Sequence, residues 1–245
     1  MIKKKFYISS LDSALNGGIP EKNTILVAGS AGTGKTTLSM EFLCEGAKQG
    51  KEVGIFFSMN ESEAKLKTDF EEFSFFGKDL VDNQKLILID MRTVYIDMQK
   101  EYIKKKGCSS FLGTPDDTLD FIAKQMIAYK PKRIVIDSLT AVCHYFKDNI
   151  DIREFIFKLG NLLALFGCTS LLISEISPDK RNYSNFDIEE FIADGIIYLQ
   201  HVEKNNKLVK TLQIVKMRGD SHSDERFLLN IQKKGITLLK MMDFK

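Results

Sequence analysis

Apolar residues along this chain fall into short unbroken runs that alternate with stretches of helical period. That alternation predicts buried strands connected by amphipathic helices. Thr24 to Ala28 is the first such run, bounded by the turn residues Gly17-Gly18-Ile19-Pro20 and by a glycine-rich segment. A helix from about Thr36 to Gln49 follows, closed by Gly50, and Val53 to Ser58 is a second strand rich in β-branched and aromatic residues. Glu61 to Phe75 reads as a helix with Leu66, Phe70 and Phe73 near one face, ended by Gly77, and Lys85 to Asp90 is the next strand. Met91 to Thr114 shows no clear period, and its Lys104-Lys105-Lys106-Gly107 suits a solvated loop or an insertion. Pro115 opens a helix that runs through Tyr129 and stops before Pro131, and Arg133 to Asp137 is a strand. Asp151 to Phe166 carries Ile152, Phe155, Ile156, Leu159, Leu163 and Phe166 at helical spacing, and Thr169 to Glu175 is again a strand.

From Gly195 the pattern changes. Ile196 to Val202, Val209 to Met217, Phe227 to Ile231 and Ile236 to Leu239 are strands joined by short polar turns, which predicts antiparallel hairpins that extend the same sheet. No linker composition separates them, so residues 1–245 are expected to form a single α/β domain with a central, mostly parallel sheet flanked by helices.

Composition narrows the class. The 245 residues are 44% hydrophobic and 28% charged, with a formal net charge of +2, which fits a core-forming domain with a weak overall field. A dedicated nucleic-acid binder usually carries a larger basic excess. No segment approaches a membrane span: Leu162 to Ile173 is broken by Gly167, and basic Met1 to Lys5 is followed by no apolar run. Lys3 to Lys5 then reads as an exposed start. Cys44, Cys108, Cys143 and Cys168 are widely spaced, as free thiols of a cytoplasmic protein would be. His144, His201 and His222 lack metal-ligand spacing.

The strongest chemical signal is Gly29-Ser30-Ala31-Gly32-Thr33-Gly34-Lys35-Thr36, followed by Thr37. It matches G-x-x-x-x-G-K-[ST], after a strand and before a helix as that motif requires. Glycines let the backbone curl so that successive N–H groups face phosphate oxygens, and the helix N-terminus adds partial positive charge. Lys35 is placed to reach the β- and γ-phosphates of ATP, and the Thr36 hydroxyl to ligate magnesium. The apolar strand Arg133-Ile-Val-Ile-Asp137 ends in a carboxylate suited to the same cation, although buried strands also end in Asp for capping.

After the second strand comes Met59-Asn60-Glu61-Ser62, and here the chain resembles the KaiC-like branch of the RecA/RadA ATPases, of the single-domain type found in archaea. Five segments in order carry the resemblance across nearly the whole length: Leu11-Asp12 with Asn16-Gly-Gly-Ile-Pro20, Ile136-Asp137-Ser138-Leu139-Thr140, Ser174-Glu175, Ala193-Asp194-Gly195-Ile196-Ile197, and Lys216-Met-Arg218-Gly219-Asp-Ser221-His222. The resemblance implies a RecA-like P-loop NTPase fold and Walker A and B roles for the two motifs above. It also implies a catalytic Glu just after the second strand, and Glu175 on a sensor strand. Of the family's adjacent Glu pair the first is Asn60 here, and only Glu61 is kept. An amide can orient water but cannot take its proton, so slow hydrolysis is expected, or none. Glu61 is either a substitute base or an ordinary acid in the first turn of a helix.

Lys216 and Arg218 lie two apart on a strand and so point to one side. The resemblance makes them a finger onto the γ-phosphate of a neighbouring subunit, with nucleotide at the boundaries of a ring, most often a hexamer. Without it they are two solvated cations on a sheet edge. Three functions follow: a weakly hydrolysing ring ATPase in regulation or signalling, a non-hydrolysing nucleotide sensor, or a DNA-handling paralogue. The last draws only on Lys180, Arg181 and Tyr183 in the loop from Ser177, which also suits solvent. Clock-protein members carry a phosphorylated Ser-Thr pair where this chain has Glu190-Phe191, so that autokinase activity is not expected.

Overall fold

The computed structural model describes residues 1–106, 114–144, 146, 148–177, 182–186, 188–204 and 206–241. In chain order its first elements are β1 (Lys3–Lys4), α1 (Ser9–Ala14), β2 (Ile19–Pro20), β3 (Thr24–Gly29), α2 (Lys35–Gln49), β4 (Gly54–Ser58) and α3 (Glu63–Phe70). Next come α4 (Lys78–Asp82), β5 (Leu86–Asp90), α5 (Met91–Lys106), α6 (Pro115–Tyr129), β6 (Arg133–Asp137) and α7 (Leu139–Cys143). The remainder is α8 (Asn149–Phe166), β7 (Thr169–Glu175), α9 (Glu189–Ile192), β8 (Gly195–Lys204), β9 (Lys207–Met217), β10 (Arg226–Gln232) and β11 (Gly235–Lys240).

Nine strands form one sheet in the order β11-β10-β9-β8-β3-β7-β6-β4-β5, with β1 and β2 as a separate pair. From β8 to β5 every neighbour is parallel; from β8 to β11 every neighbour is antiparallel. The predicted RecA-like α/β architecture with C-terminal hairpins is therefore what the chain adopts. The strand period of two divides the core. On β3, Ile25 and Val27 enter one apolar cluster with α2, while Leu26 and Ala28 enter another with α6 and α8. Both faces of the parallel strands are covered, which is why they read as unbroken apolar runs. Each fully buried aliphatic side chain in these layers contributes about 1.5–3 kcal/mol of transfer free energy.

Local signals set the helix ends. Thr114 and Asp117 exchange side-chain and backbone hydrogen bonds in a capping box ahead of Pro115. Asp148 caps α8 by accepting from the N–H groups of Ile150 and Asp151, and Gly167 ends it in the left-handed region. Buried Arg133 starts β6: its guanidinium donates to Glu52 (2.6 Å) and to the carbonyls of Lys5 (2.8 Å) and Phe42 (2.9 Å), 4.3 Å above the Phe42 ring.

Three sequence expectations need correction. Residues 91–106 are helical, with Met91 and Tyr95 buried and Val94 and Met98 packed beside them, a period confined to the first half of α5. Residues 107–113, including Cys108, lie outside the described residues. The helix expected over Glu61 to Phe75 ends at Phe70, because Phe70, Phe73, Phe75 and Phe76 close into an aromatic cluster and Ser74 N–H turns away to the Lys233 carbonyl (2.8 Å). Lys3 and Lys4 are half-buried, not a free start: they pair with Pro20 and Ile19 in β1–β2, and form ion pairs with Asp220, and with Glu21 and Glu52. Cys44, Cys143 and Cys168 are buried free thiols. Among the described residues no helix is long and apolar enough to cross a membrane.

Candidate functional site

The parallel strands β3, β7, β6 and β4 end at the same edge of the sheet, and the residues that follow them meet there. β3 delivers the glycine-rich loop. Gly29 runs so close to β8 that a Cβ would lie 2.3 Å from the Leu199 carbonyl oxygen, so only glycine fits. Gly34 has φ +103°, a left-handed conformation that turns the loop into α2 and aims the first N–H groups of the helix into the loop. Behind it, Ile231 of β10 fills the place a side chain would take.

Inside the loop, the Lys35 ammonium is buried and donates to the Ser30 carbonyl (2.8 Å), as does the Thr33 hydroxyl (2.8 Å). The Thr36 hydroxyl donates to Asp137 Oδ2 at 2.6 Å, joining the P-loop directly to the end of β6. Burial pushes the Asp137 carboxyl up to about 6; the Thr36 hydrogen bond and Lys35 oppose that, and Glu175 and Glu61 add to it. Burial also draws the Lys35 ammonium below its usual range, against the pull of Glu175 and Asp137. A buried lysine and a buried aspartate beside two further carboxylates form a polar cluster that a polyphosphate with a hard divalent cation would complete. Thr36 and Asp137 are the oxygen donors suited to hold magnesium. Among the described residues no three His, Cys, Asp or Glu side chains gather to hold a metal by themselves. Magnesium, which keeps waters and takes phosphate oxygens, is the cation such a sparse site suits.

Asn60 and Glu61 leave β4 at the same edge. Asn60 is exposed; Glu61 is half-buried, and its N–H donates to Ser58 Oγ at 3.0 Å. Glu175, at the end of β7, is exposed, with its N–H fixed by the Thr140 hydroxyl at 2.9 Å. Ala31 and Gly32 are open to solvent, and Thr37 is half-buried in the first turn of α2. Ser30 and Thr140 lie within quoted motifs, but the sequence assigns them no part; Ser58 and Ile231 lie in no motif. Ser30 acts through its carbonyl and Ser58 through the nearby Glu61 N–H, while Thr140 and Ile231 meet partners brought up by other strands.

Two residues are not brought to this site. Lys216 pairs with Ile196, which lies beside Leu26, three residues before Gly29 on β3. That is about 10 Å down the strand. The Arg218 N–H bonds the Asp194 carbonyl, and Asp194 in turn bonds Thr24, about 17 Å from the loop by the same rise. The Lys180 and Arg181 of the loop after β7 lie outside the described residues.

Comparison with known proteins bears on the fold and the family. A family model described as "ATPase: KaiC" matches residues 4–242. A UPF0273 protein of Pyrococcus horikoshii is 33% identical over 229 residues, 94% of this chain and 90% of the relative. One of Thermotoga maritima is 33% identical over 239 residues, 97% and 96% of the two chains. The circadian clock oscillator protein KaiC of Prochlorococcus marinus is 28% identical over 234 residues, 96% of this chain and 45% of that protein. The crystal structure of a KaiC-like protein from P. horikoshii superposes with a TM-score of 0.81 at 30% identity, covering 97% of this chain and 98% of that one. The chain belongs to the KaiC family of P-loop ATPases.

Proposed function

We propose that this chain binds ATP with magnesium, hydrolyses it slowly, and assembles into a ring, a hexamer by family resemblance, with nucleotide at each subunit boundary, in a regulatory or signalling role. The observation that carries the reading is the separation of Lys216 and Arg218 from the loop of their own subunit. A pair of cations at the far end of the sheet serves a phosphate only in a neighbouring copy.

In this reading the backbone of Gly29 to Thr36 cradles the phosphates and Lys35 neutralises them, with Ala31, Gly32, Thr33, Gly34 and Thr37 shaping the cradle. Thr36 and Asp137 hold magnesium, which screens the phosphate charge when bound. Asn60 and Glu61 orient the attacking water, Glu61 being the carboxylate able to accept its proton, and Glu175 lies across the site from them. Lys216 and Arg218 of the next subunit stabilise the charge that develops as the γ-phosphate leaves. Light scattering during size-exclusion chromatography, with ATP, ADP or no nucleotide and phosphate release followed on each peak, tests it. A ring that forms with ATP and turns over slowly is expected; a monomer in every condition would remove the inter-subunit site.

Asn60 favours a second reading, a nucleotide sensor that assembles without hydrolysis, because an amide replaces the carboxylate of the resembled pair. Steady-state phosphate release by Asn60→Glu separates the two. A gain of about a hundredfold over near-zero turnover marks the sensor, within the range general-base catalysis supplies. Little change marks Glu61 as sufficient.

A further inference from the structure

Lys216 and Arg218 both rest on one short element. Lys216 Nζ donates to the carbonyls of Glu190 (2.8 Å) and Ala193 (2.7 Å), and Arg218 Nη2 to that of Phe191 (3.1 Å). These carbonyls belong to the C-terminal end of α9, where oxygens without intrahelical partners attract cations. The Asp194 carboxylate lies 3.8 Å from Arg218 Nη1 and accepts from the N–H of Thr24, the first residue of β3, at 3.0 Å.

The other end of α9 is tied to the sheet by a carboxylate. Glu189 is 2% exposed. It accepts from the N–H groups of Asn185, Phe186 and Ile188 (3.2 Å each) and from the hydroxyl of Ser174 on β7 (3.4 Å), the residue before Glu175. The next carboxylate, Glu190, accepts from Tyr183 N–H (2.8 Å) and Ser184 Oγ (3.0 Å). A carboxylate buried this far is costly unless every partner stays in place, so the network fixes the position of α9 relative to β7.

We propose that α9 is the seat that aims Lys216 and Arg218 at the neighbouring subunit, and that Glu189 is the positioning residue that locks the seat to β7. This rests on the inter-subunit reading above. Glu189 touches neither nucleotide nor the two cations; it acts through the carbonyls of α9. A displacement of about 1 Å in a group that stabilises a transition state costs up to about a hundredfold in rate. Glu189→Gln is therefore expected to lower kcat by about 10- to 100-fold, with the affinity of the same subunit for a fluorescent ADP analogue within about twofold of the parent.

Mixed rings assign the effect to one side of the interface. Lys35→Ala subunits keep the cations and lose the phosphate site; Arg218→Ala subunits do the reverse. A mixture of these two should recover phosphate release, and no recovery would overturn the inter-subunit reading itself rather than this inference. Given recovery, Glu189→Gln should be rescued by Lys35→Ala subunits and not by Arg218→Ala subunits. The opposite pattern would mean that Glu189 serves its own nucleotide site through Ser174 and Glu175, and would overturn the inference. Should Glu189→Gln fold poorly, Gly160→Ala on α8 gives a second route. Its Cβ would lie 2.7 Å from Ile192 Cγ2, too close for α8 and α9 to keep their present spacing. It should give a smaller kcat loss with the same rescue pattern, and unchanged turnover with α9 displaced would equally sink the proposal.

Discussion

The parallel and antiparallel halves of the sheet divide the work differently. In the parallel half, β3, β4, β6 and β7 are buried on both faces, and their ends gather Lys35, Thr36, Asp137, Glu61 and Glu175 at one edge. In the antiparallel half, β9 mixes buried, half-buried and exposed residues, and its end places Lys216 and, one residue past the strand, Arg218 at the opposite edge. The first half makes a phosphate site out of chain direction alone, since parallel strands must all finish on the same side. The second half has no such common end, and the cations it carries point away from the site of their own chain. In the proposed function, binding is a property of one subunit, and turnover a property of two.

The sharpest way to break that division is Arg218→Ala. Turnover should fall by about a thousandfold, the lower range for losing an arginine finger, with single-subunit nucleotide affinity unchanged. If affinity falls as well, the two halves are not separate. Lys35→Ala should do the converse: removing a buried charge-assisted contact should weaken ATP binding by about a hundredfold in equilibrium titration. The next effect is in pH. Because burial lifts Asp137 to about 6, the ionised form that a cation needs is lost as pH falls through that value. Magnesium–nucleotide affinity should drop by up to about tenfold per unit below it, and Asp137→Asn should bind weakly with that slope gone.

The smallest effect concerns the contact between the halves. Glu41 of α2 accepts from the N–H of Ile236 on β11 at 2.9 Å, and burial lifts its carboxyl to about 7 from an ordinary 4.5. An unfolded chain ionises this group more readily than the folded one, so stability is given up as pH rises from about 4.5 to 7. Glu41→Gln keeps an acceptor for Ile236 and removes the charge. A Tm gain of a few degrees is expected at pH 8 and none at pH 4, read by calorimetry.

Much of the binding half is legible in the sequence, because its chemistry is local. Gly29 to Thr36 are consecutive, and Asp137 terminates a short apolar run whose Ile-Val-Ile content favours a strand. The short helices α1, α7 and α9 are not legible, since 4 to 6 residues do not complete two turns of any period. The first half of α5 carries a period and the second half is polar, which blurs the whole. The bond from Glu175 to Thr140 and the seat beneath Lys216 depend on which strands lie side by side, and no spacing in the chain announces that order.

Ile231 behind Gly34 and Ile236 on Glu41 also give the site a timetable. The loop and its helix are translated well before the wall that braces them, which is made 195 positions after Glu41. At ordinary ribosome speeds that interval is about 10–40 s. Through that interval a nascent chain carries its phosphate loop without the backing that sets the loop's shape, and the grip on nucleotide waits for the last hairpin of the sheet.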